Sequence, residues 1–184
     1  MALQATAPQI DLHPNAIDAG AFMLRPVRVS DAGLMTHYGS DKRVAEMTVS
    51  IPHPLPPGSI EAFIASVTAA DSDEVAWVLD ATPNGGSEFL GLISLKKMDR
   101  NQSEIGYWVA PAFWNTGFAS AAVNALVAAN PLDNDTIFGS VFQDNPVSAR
   151  VLTNAGFEYL GDAEAFSVAR NAKVSTWTYL KKLG

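Results

Sequence analysis

EIGYWVAPAFWNTGFAS, residues 104 to 120, carries a strand, a loop and a helix start in one run. Ile105, Tyr107 and Val109 alternate with Glu104, Gly106 and Trp108, the period of two that a pleated strand imposes. Pro111 can give no ladder hydrogen bond, so the strand ends at or before it. After Gly117 the period changes. Ala119, Ala122, Val123 and Leu126 share one helical face, while Thr116, Ser120 and Asn124 recur every four residues as a thin polar stripe. A strand, a glycine turn and a helix N-terminus together make an anion site, because the first helical amides lack partners within the helix and point outward. Glu104 stands one strand length upstream of that site. The pairing points to an enzyme that holds a phosphate-bearing cofactor beside a base.

The rest of the composition narrows the class. At 184 residues, 48% hydrophobic and 17% charged, the chain is long enough to bury one full core and is globular. It has no cysteine, which excludes disulfides, thiolate metal sites and a cysteine nucleophile. No apolar run reaches the length of a membrane span, and residues 1 to 20 lack the basic and apolar regions of a signal peptide, so the expected setting is the cytoplasm. A net charge of −7 argues against nucleic acid as a partner and suits a cationic one. The cations are unevenly spread: no Lys or Arg falls between Arg100 and Arg150, the interval that contains the anion site. His13, His37 and His53 have no spacing to carboxylates or serines that would make a triad or a metal site, so no metal is expected.

Working outward along the chain, residues 1 to 20 read as a loosely held extension and 21 to 184 as a single domain. Strands are expected at Phe22–Val29, Glu74–Ala81, Glu88–Met98, Glu104 to about Ala110, Thr136–Phe142, Phe157–Leu160 and Val174–Leu180. Ser30, with Asp31 after it, caps a helix to about Tyr38, and a second helical piece spans Asp41 to Met47. The prolines of SIPHPLPPG, residues 50 to 58, force an irregular loop. A helix follows to about Ala70, with Ile60, Phe63, Ile64 and Val67 as its apolar face. Asn84-Gly85 signals a hairpin. Asn145 followed by Pro146 starts another helix, which Gly156 ends. The result is a mixed α/β sheet of about seven mostly antiparallel strands with flanking helices. Its one parallel β-α-β unit runs from Glu104 to Phe142.

This order resembles a GNAT-type N-acetyltransferase of the RimJ/RimL branch over roughly Phe22 to Leu180. The residues that carry the resemblance are LRPVRVSDA (24 to 32), EIGYWVAPAFWNTGFAS (104 to 120) and NPVSARVLTNAGF (145 to 157). It implies direct transfer of an acetyl group from acetyl-CoA, as co-substrate, to a primary amine on a protein N-terminus or a small molecule. It places Trp108, Val109 and Ala110 beside the pantetheine arm, and Asn115, Thr116, Gly117, Phe118 and Ala119 around the phosphates. Asn145 matches a cofactor-contacting asparagine, and Ser148 a serine assigned as the acid near the thiolate. Asn115-Thr116 departs from the Gly-Lys or Gly-Arg usual in that branch, and Thr153-Asn154 from its Glu-Lys. Arg150 is left as the basic residue in this half that can meet a cofactor phosphate.

Each role has a plainer alternative. Glu104 is a general base acting through a water, or a strand-end carboxylate beside Lys96 or Lys97. Asn145 contacts the cofactor or caps a helix, and Ser148 is an acid or a first-turn serine. His53 lines the acceptor pocket or lies on the surface. An acyl-CoA-binding module with little or no catalysis is the competing function, motivated by the missing loop cation. The acceptor's identity is open, and so is the oligomeric state, with a homodimer compatible.

Overall fold

The computed structural model describes residues 16–184. Among the described residues eight strands form one sheet: β1 (Ile17–Asp18), β2 (Met23–Pro26), β3 (Glu74–Asp80), β4 (Gly91–Met98), β5 (Gln102–Val109), β6 (Thr136–Phe142), β7 (Glu158–Ser167) and β8 (Ala172–Lys182). Their spatial order is β1-β2-β3-β4-β5-β6-β8-β7, and among them β5–β6 is the parallel pair. Five α-helices of the described residues flank it: α1 (Ala32–Gly39), α2 (Lys42–Met47), α3 (Ser59–Thr68), α4 (Phe118–Ala129) and α5 (Pro146–Asn154). The expected mixed sheet is present with eight strands instead of about seven. The additional one is β1, where Ile17 and Asp18 pair with Leu24 and Met23. The rest of the expected N-terminal extension, residues 1–15, lies outside the described residues.

Pleating assigns the two faces of the sheet to two cores. Trp77, Leu79, Ile93, Leu95 and Ile105 face α4 and α5, meeting Ala122, Val123, Leu126, Ala149 and Leu152. Ala76, Val78 and Leu92 face the other way, against Met35 of α1 and Ile60 and Ile64 of α3. A buried ion network closes the β2 end. Arg25 donates from Nε to Asp80 Oδ2 at 2.6 Å and from Nη2 to Asp31 Oδ1 at 2.7 Å, all three residues being at most 6% exposed. Asp31 is thus drawn inward by Arg25, and α1 begins at Ala32 with no side-chain cap, in place of the expected Ser30 start. β3 and β4 form the antiparallel hairpin that Asn84-Gly85 signals, and a short 3-10 turn, Thr82–Asn84, lies within its connection.

Candidate active site

The strand that opens the site is paired on both sides for only half its length. β5 pairs with β4 from Gln102 to Val109, but with β6 only from Gln102↔Thr136 to Ile105↔Gly139. Beyond that point β6 stays with β8 as far as Phe142↔Thr176, and the two parallel strands part. Ala110 donates its amide to Leu90 O at 2.8 Å, so the antiparallel alternation aims the backbone of Trp108 and Gly106 at β4. The backbone of Tyr107 and Val109 therefore faces the side β6 has left. Trp114 Nε1 takes the Val109 carbonyl at 2.7 Å. The Tyr107 amide and carbonyl and the Val109 amide have no ladder partner on β6.

The parting leads to the start of α4. Asn115 (φ 60°) and Gly117 (φ 80°) both occupy the left-handed region, the first by an asparagine's tolerance for it and the second by a glycine's freedom. Gly117 is the N-cap residue and offers no side-chain cap. The first bond within the helix runs from Ala121 N to Gly117 O at 3.0 Å, which leaves the amides of Phe118, Ala119 and Ser120 without a helical acceptor. A Cβ on Gly117 would meet no atom within 4 Å, so the space in front of this end is open. These donors line a cleft of about 460 Å³.

The opposite wall is the start of α5. Asn145 Oδ1 accepts from Ser148 N at 3.3 Å, a helix cap, with Pro146 at the first helical position. The Asn145 Nδ2 group has no hydrogen-bond partner among the described residues. Tyr107 spans the cleft floor from β5 to α5: its hydroxyl donates to the Ser148 carbonyl and accepts from Ser148 Oγ, both at 2.9 Å. Burial pushes the Tyr107 phenol up to about 12, so it stays neutral and able to donate at physiological pH.

The charges at the mouth come from three elements. Arg150 on α5 and Arg43 on α2 both line the cleft, as does Asp144. Asp144 is held by Arg170, whose Nη1 donates to Oδ2 at 2.6 Å, and this hydrogen bond keeps the carboxyl below its ordinary pKa. Arg43 is bound to Asp41 and lies over the Trp114 ring, 5.2 Å from its centroid. Arg150 makes no ion pair among the described residues. The sequence pointed to Arg150 but gave no signal for Arg43, which lies on another helix far upstream, or for Tyr107 as a bridge.

Of the expected site residues, Trp108, Val109, Asn115, Thr116, Gly117, Phe118, Ala119, Asn145, Ser148 and Arg150 all border this one cleft. Two do not. Ala110 is 0% exposed, its amide given to Leu90 and its carbonyl taken by Phe113 N at 2.9 Å, so neither backbone group is free for a ligand. Glu104 lies on the face of β5 that carries Gly106 and Trp108, exposed, opposite Lys96 on β4. It forms no ion pair with Lys96 or Lys97. His53 sits outside the cleft lining. Among the described residues no helix is long and apolar enough to cross a membrane.

The Acetyltransferase (GNAT) domain profile matches residues 22–158, and the chain belongs to the GNAT acetyltransferase family. Over 96 residues it is 29% identical to YoaA of Bacillus subtilis (strain 168), an uncharacterized N-acetyltransferase, covering 50% of this chain and 54% of that protein. The chain therefore spans about half the length of that curated relative. Solved structures share the fold at lower identity. RimJ of Mycobacterium smegmatis, in complex with CoA-disulfide, superposes with a TM-score of 0.78 at 20% identity, over 92% of this chain and 88% of that one. A GNAT-family acetyltransferase from Bacillus anthracis gives 0.75 at 19% identity, over 92% and 99%. Spermidine N-acetyltransferase from Vibrio cholerae, in complex with CoA and spermine, gives 0.71 at 17% identity, over 87% and 95%.

Proposed function

We propose that this chain is an acetyl-CoA-dependent N-acetyltransferase that passes the acetyl group directly to a primary amine, on a protein N-terminus or a small molecule, in the cytoplasm. The observation that carries the reading is the parting of β5 from β6 immediately before the uncapped start of α4. An extended arm fits the first feature, because Tyr107 and Val109 present unpaired strand amides to it, as a missing β6 residue would. A phosphate fits the second, since three helical amides converge on open space at the positive end of the α4 dipole. Solved relatives of the same fold are in complex with CoA or with a CoA disulfide.

Acetyl-CoA, when bound, supplies an activated acyl thioester. The residues of the chain do the rest. Trp108 and Val109 line the arm, while Asn115, Thr116, Gly117, Phe118 and Ala119 surround the phosphates with Arg150 at the edge. Glu104 takes a proton from the incoming ammonium through a water, since only a neutral amine attacks a thioester. The new C–N bond forms as the C–S bond breaks, the nitrogen gives its second proton to water, and the sulfur leaves with a proton. Ser148 Oγ gives that proton, with Tyr107 Oη 2.9 Å behind it. With no cysteine to carry the acyl group, transfer within a ternary complex is the simple route.

The exposed position of Glu104, outside the cleft lining, is the observation that favours the second reading, an acyl-CoA-binding module without useful turnover. An acceptor panel with acetyl-CoA, read by a thiol-reactive dye, separates them, because the chain has no thiol of its own to add background. The transferase reading expects CoA release with at least one amine. Glu104→Gln should then lower kcat by about 10²-fold at pH 7. The loss should shrink by about pH 8 for an N-terminal acceptor and persist to about pH 10 for a lysine or polyamine, following the amines' own pKa values. Cofactor binding without release by any amine supports the module, and an unchanged kcat in Glu104→Gln removes the base.

A further inference from the structure

We propose that Arg43 of α2 holds a phosphate group of the cofactor and supplies the cation that the loop before α4 lacks. The inference rests on the acetyl-CoA reading above and adds a residue that no part of the 104–120 stretch contains. That loop has no Lys or Arg, and the sequence offers none between Arg100 and Arg150. Without a further cation, backbone amides, a helix dipole and Arg150 at the edge would face a ligand carrying a pyrophosphate and a phosphate monoester. Folding brings α2 to the same opening, so that Arg43 borders the cleft together with Asn115, Thr116 and Gly117.

Its guanidinium is prepared for a ligand in three ways. Asp41 fixes it from one edge, accepting from Nε at 3.0 Å and from Nη2 at 2.7 Å. The Trp114 ring supports it from one face at 5.2 Å, and Trp114 is itself tied to the Val109 carbonyl at 2.7 Å. A guanidinium has five N–H donors, and these bonds occupy two of them, so three are left for an incoming oxygen. The side chain is 64% exposed, so the fold does not depend on burying it. Two carboxylates are also close. Asp41 is the one that orients Arg43, and Asp144 on the cleft wall is already bound by Arg170. A simple surface ion pair would explain the contact with Asp41. It would not explain a side chain stacked on the anchored tryptophan of the loop that carries the open amides.

The phosphate that Arg43 meets is either the pyrophosphate or the 3′-phosphate, and the same titration distinguishes them. Calorimetry would give Kd for acetyl-CoA and for 3′-dephospho-acetyl-CoA with the unsubstituted chain, Arg43→Ala and Arg43→Lys. We expect Arg43→Ala to weaken acetyl-CoA about tenfold, with Arg43→Lys between the two, because lysine keeps the charge but not the planar fork. KM for acetyl-CoA should rise with kcat unchanged. The affinity of Arg43→Ala should also fall less steeply with added salt, a change that a purely structural role would not produce. If the 3′-phosphate is the partner, Arg43→Ala binds both cofactors alike. If the pyrophosphate is, the variant loses the same factor on each. Equal Kd values for Arg43→Ala and the unsubstituted chain, within twofold on both ligands, overturn the proposal. No binding of acetyl-CoA by the unsubstituted chain overturns the transferase reading itself, and this assignment with it.

Discussion

The two helices that face each other across the cleft begin in opposite ways. α5 starts with Asn145 capping the Ser148 amide and Pro146 occupying the position whose N–H would otherwise be unpaired. α4 starts at Gly117, without a cap, and with three amides open to the cleft. Both ends carry the positive pole of a helix dipole, yet only one has its donors satisfied by its own chain. Against a side-chain cap, a glycine start costs only about a few tenths of a kcal/mol. Under the proposed function, α4 offers the open end to the ligand and α5 anchors the opposite wall. Tyr107 joins the two ends, reaching from the strand that leads to α4 into the first turn of α5.

The largest effect should come from closing the open end. Gly117→Val puts a β-branched side chain at φ 80°, strained by about 1–2 kcal/mol, and fills the space in front of the amides. We expect acetyl-CoA to raise the melting temperature of the unsubstituted chain but not that of Gly117→Val, which should still fold. A full cofactor shift in Gly117→Val would mean that the anion is held elsewhere.

Removing the cap at the other end should act on stability. Asn145→Ala should lower it by about 1 kcal/mol, read as a fall of about 2–4 °C in the unliganded melting temperature. Asn145→Asp keeps an acceptor for the Ser148 amide and should keep the melting temperature. It replaces the free Nδ2 donors with a negative charge, so a loss of acetyl-CoA affinity in this variant alone would add cofactor contact to the capping role. Unchanged affinity would leave Asn145 as a cap only.

An effect of similar size, confined to a window of pH, tests the link between the two ends. Tyr107→Phe leaves the Ser148 carbonyl without its donor and should cost about 1 kcal/mol at pH 7. The phenol has its pKa raised by burial, to about 12 in the folded chain against about 10 when unfolded. Its contribution is therefore complete below about pH 10 and is lost as pH rises toward about 12. The stability gap between the unsubstituted chain and Tyr107→Phe, measured by denaturant titration, should narrow across that window. A gap independent of pH would place the phenol outside the buried network.

Legibility followed the range of the forces involved. β6 runs from Thr136 to Phe142 as its apolar pattern predicts, and α5 begins at the Asn145-Pro146 signal, because periodicity and capping act over a few residues. The two last strands were expected at 157–160 and 174–180 but extend over Glu158–Ser167 and Ala172–Lys182. Asp162, Ala163 and Glu164 carry no strand pattern of their own, and their extended shape comes from pairing with Trp177, Thr176 and Ser175. Asp31 read as a cap neighbour, yet Arg25 and its partner Asp80 on another strand decided its place. In each case a contact with a distant segment outweighed a local preference.

By itself the sequence determined the mixed sheet, the strand–loop–helix of residues 104 to 120, the glycine that leaves α4 uncapped and the absence of a cation beside it. All of these depend on residues within a turn or a pleat of one another. Only the tertiary structure decided where β6 leaves β5, that Ala110 is sealed into the core while Glu104 stays exposed on the Trp108 face, and that Tyr107 bridges to Ser148. It alone brought Arg43 to the mouth of the cleft. Which distant side chains meet is set by how helices pack on a twisted sheet, and no local pattern in the chain encodes that distance.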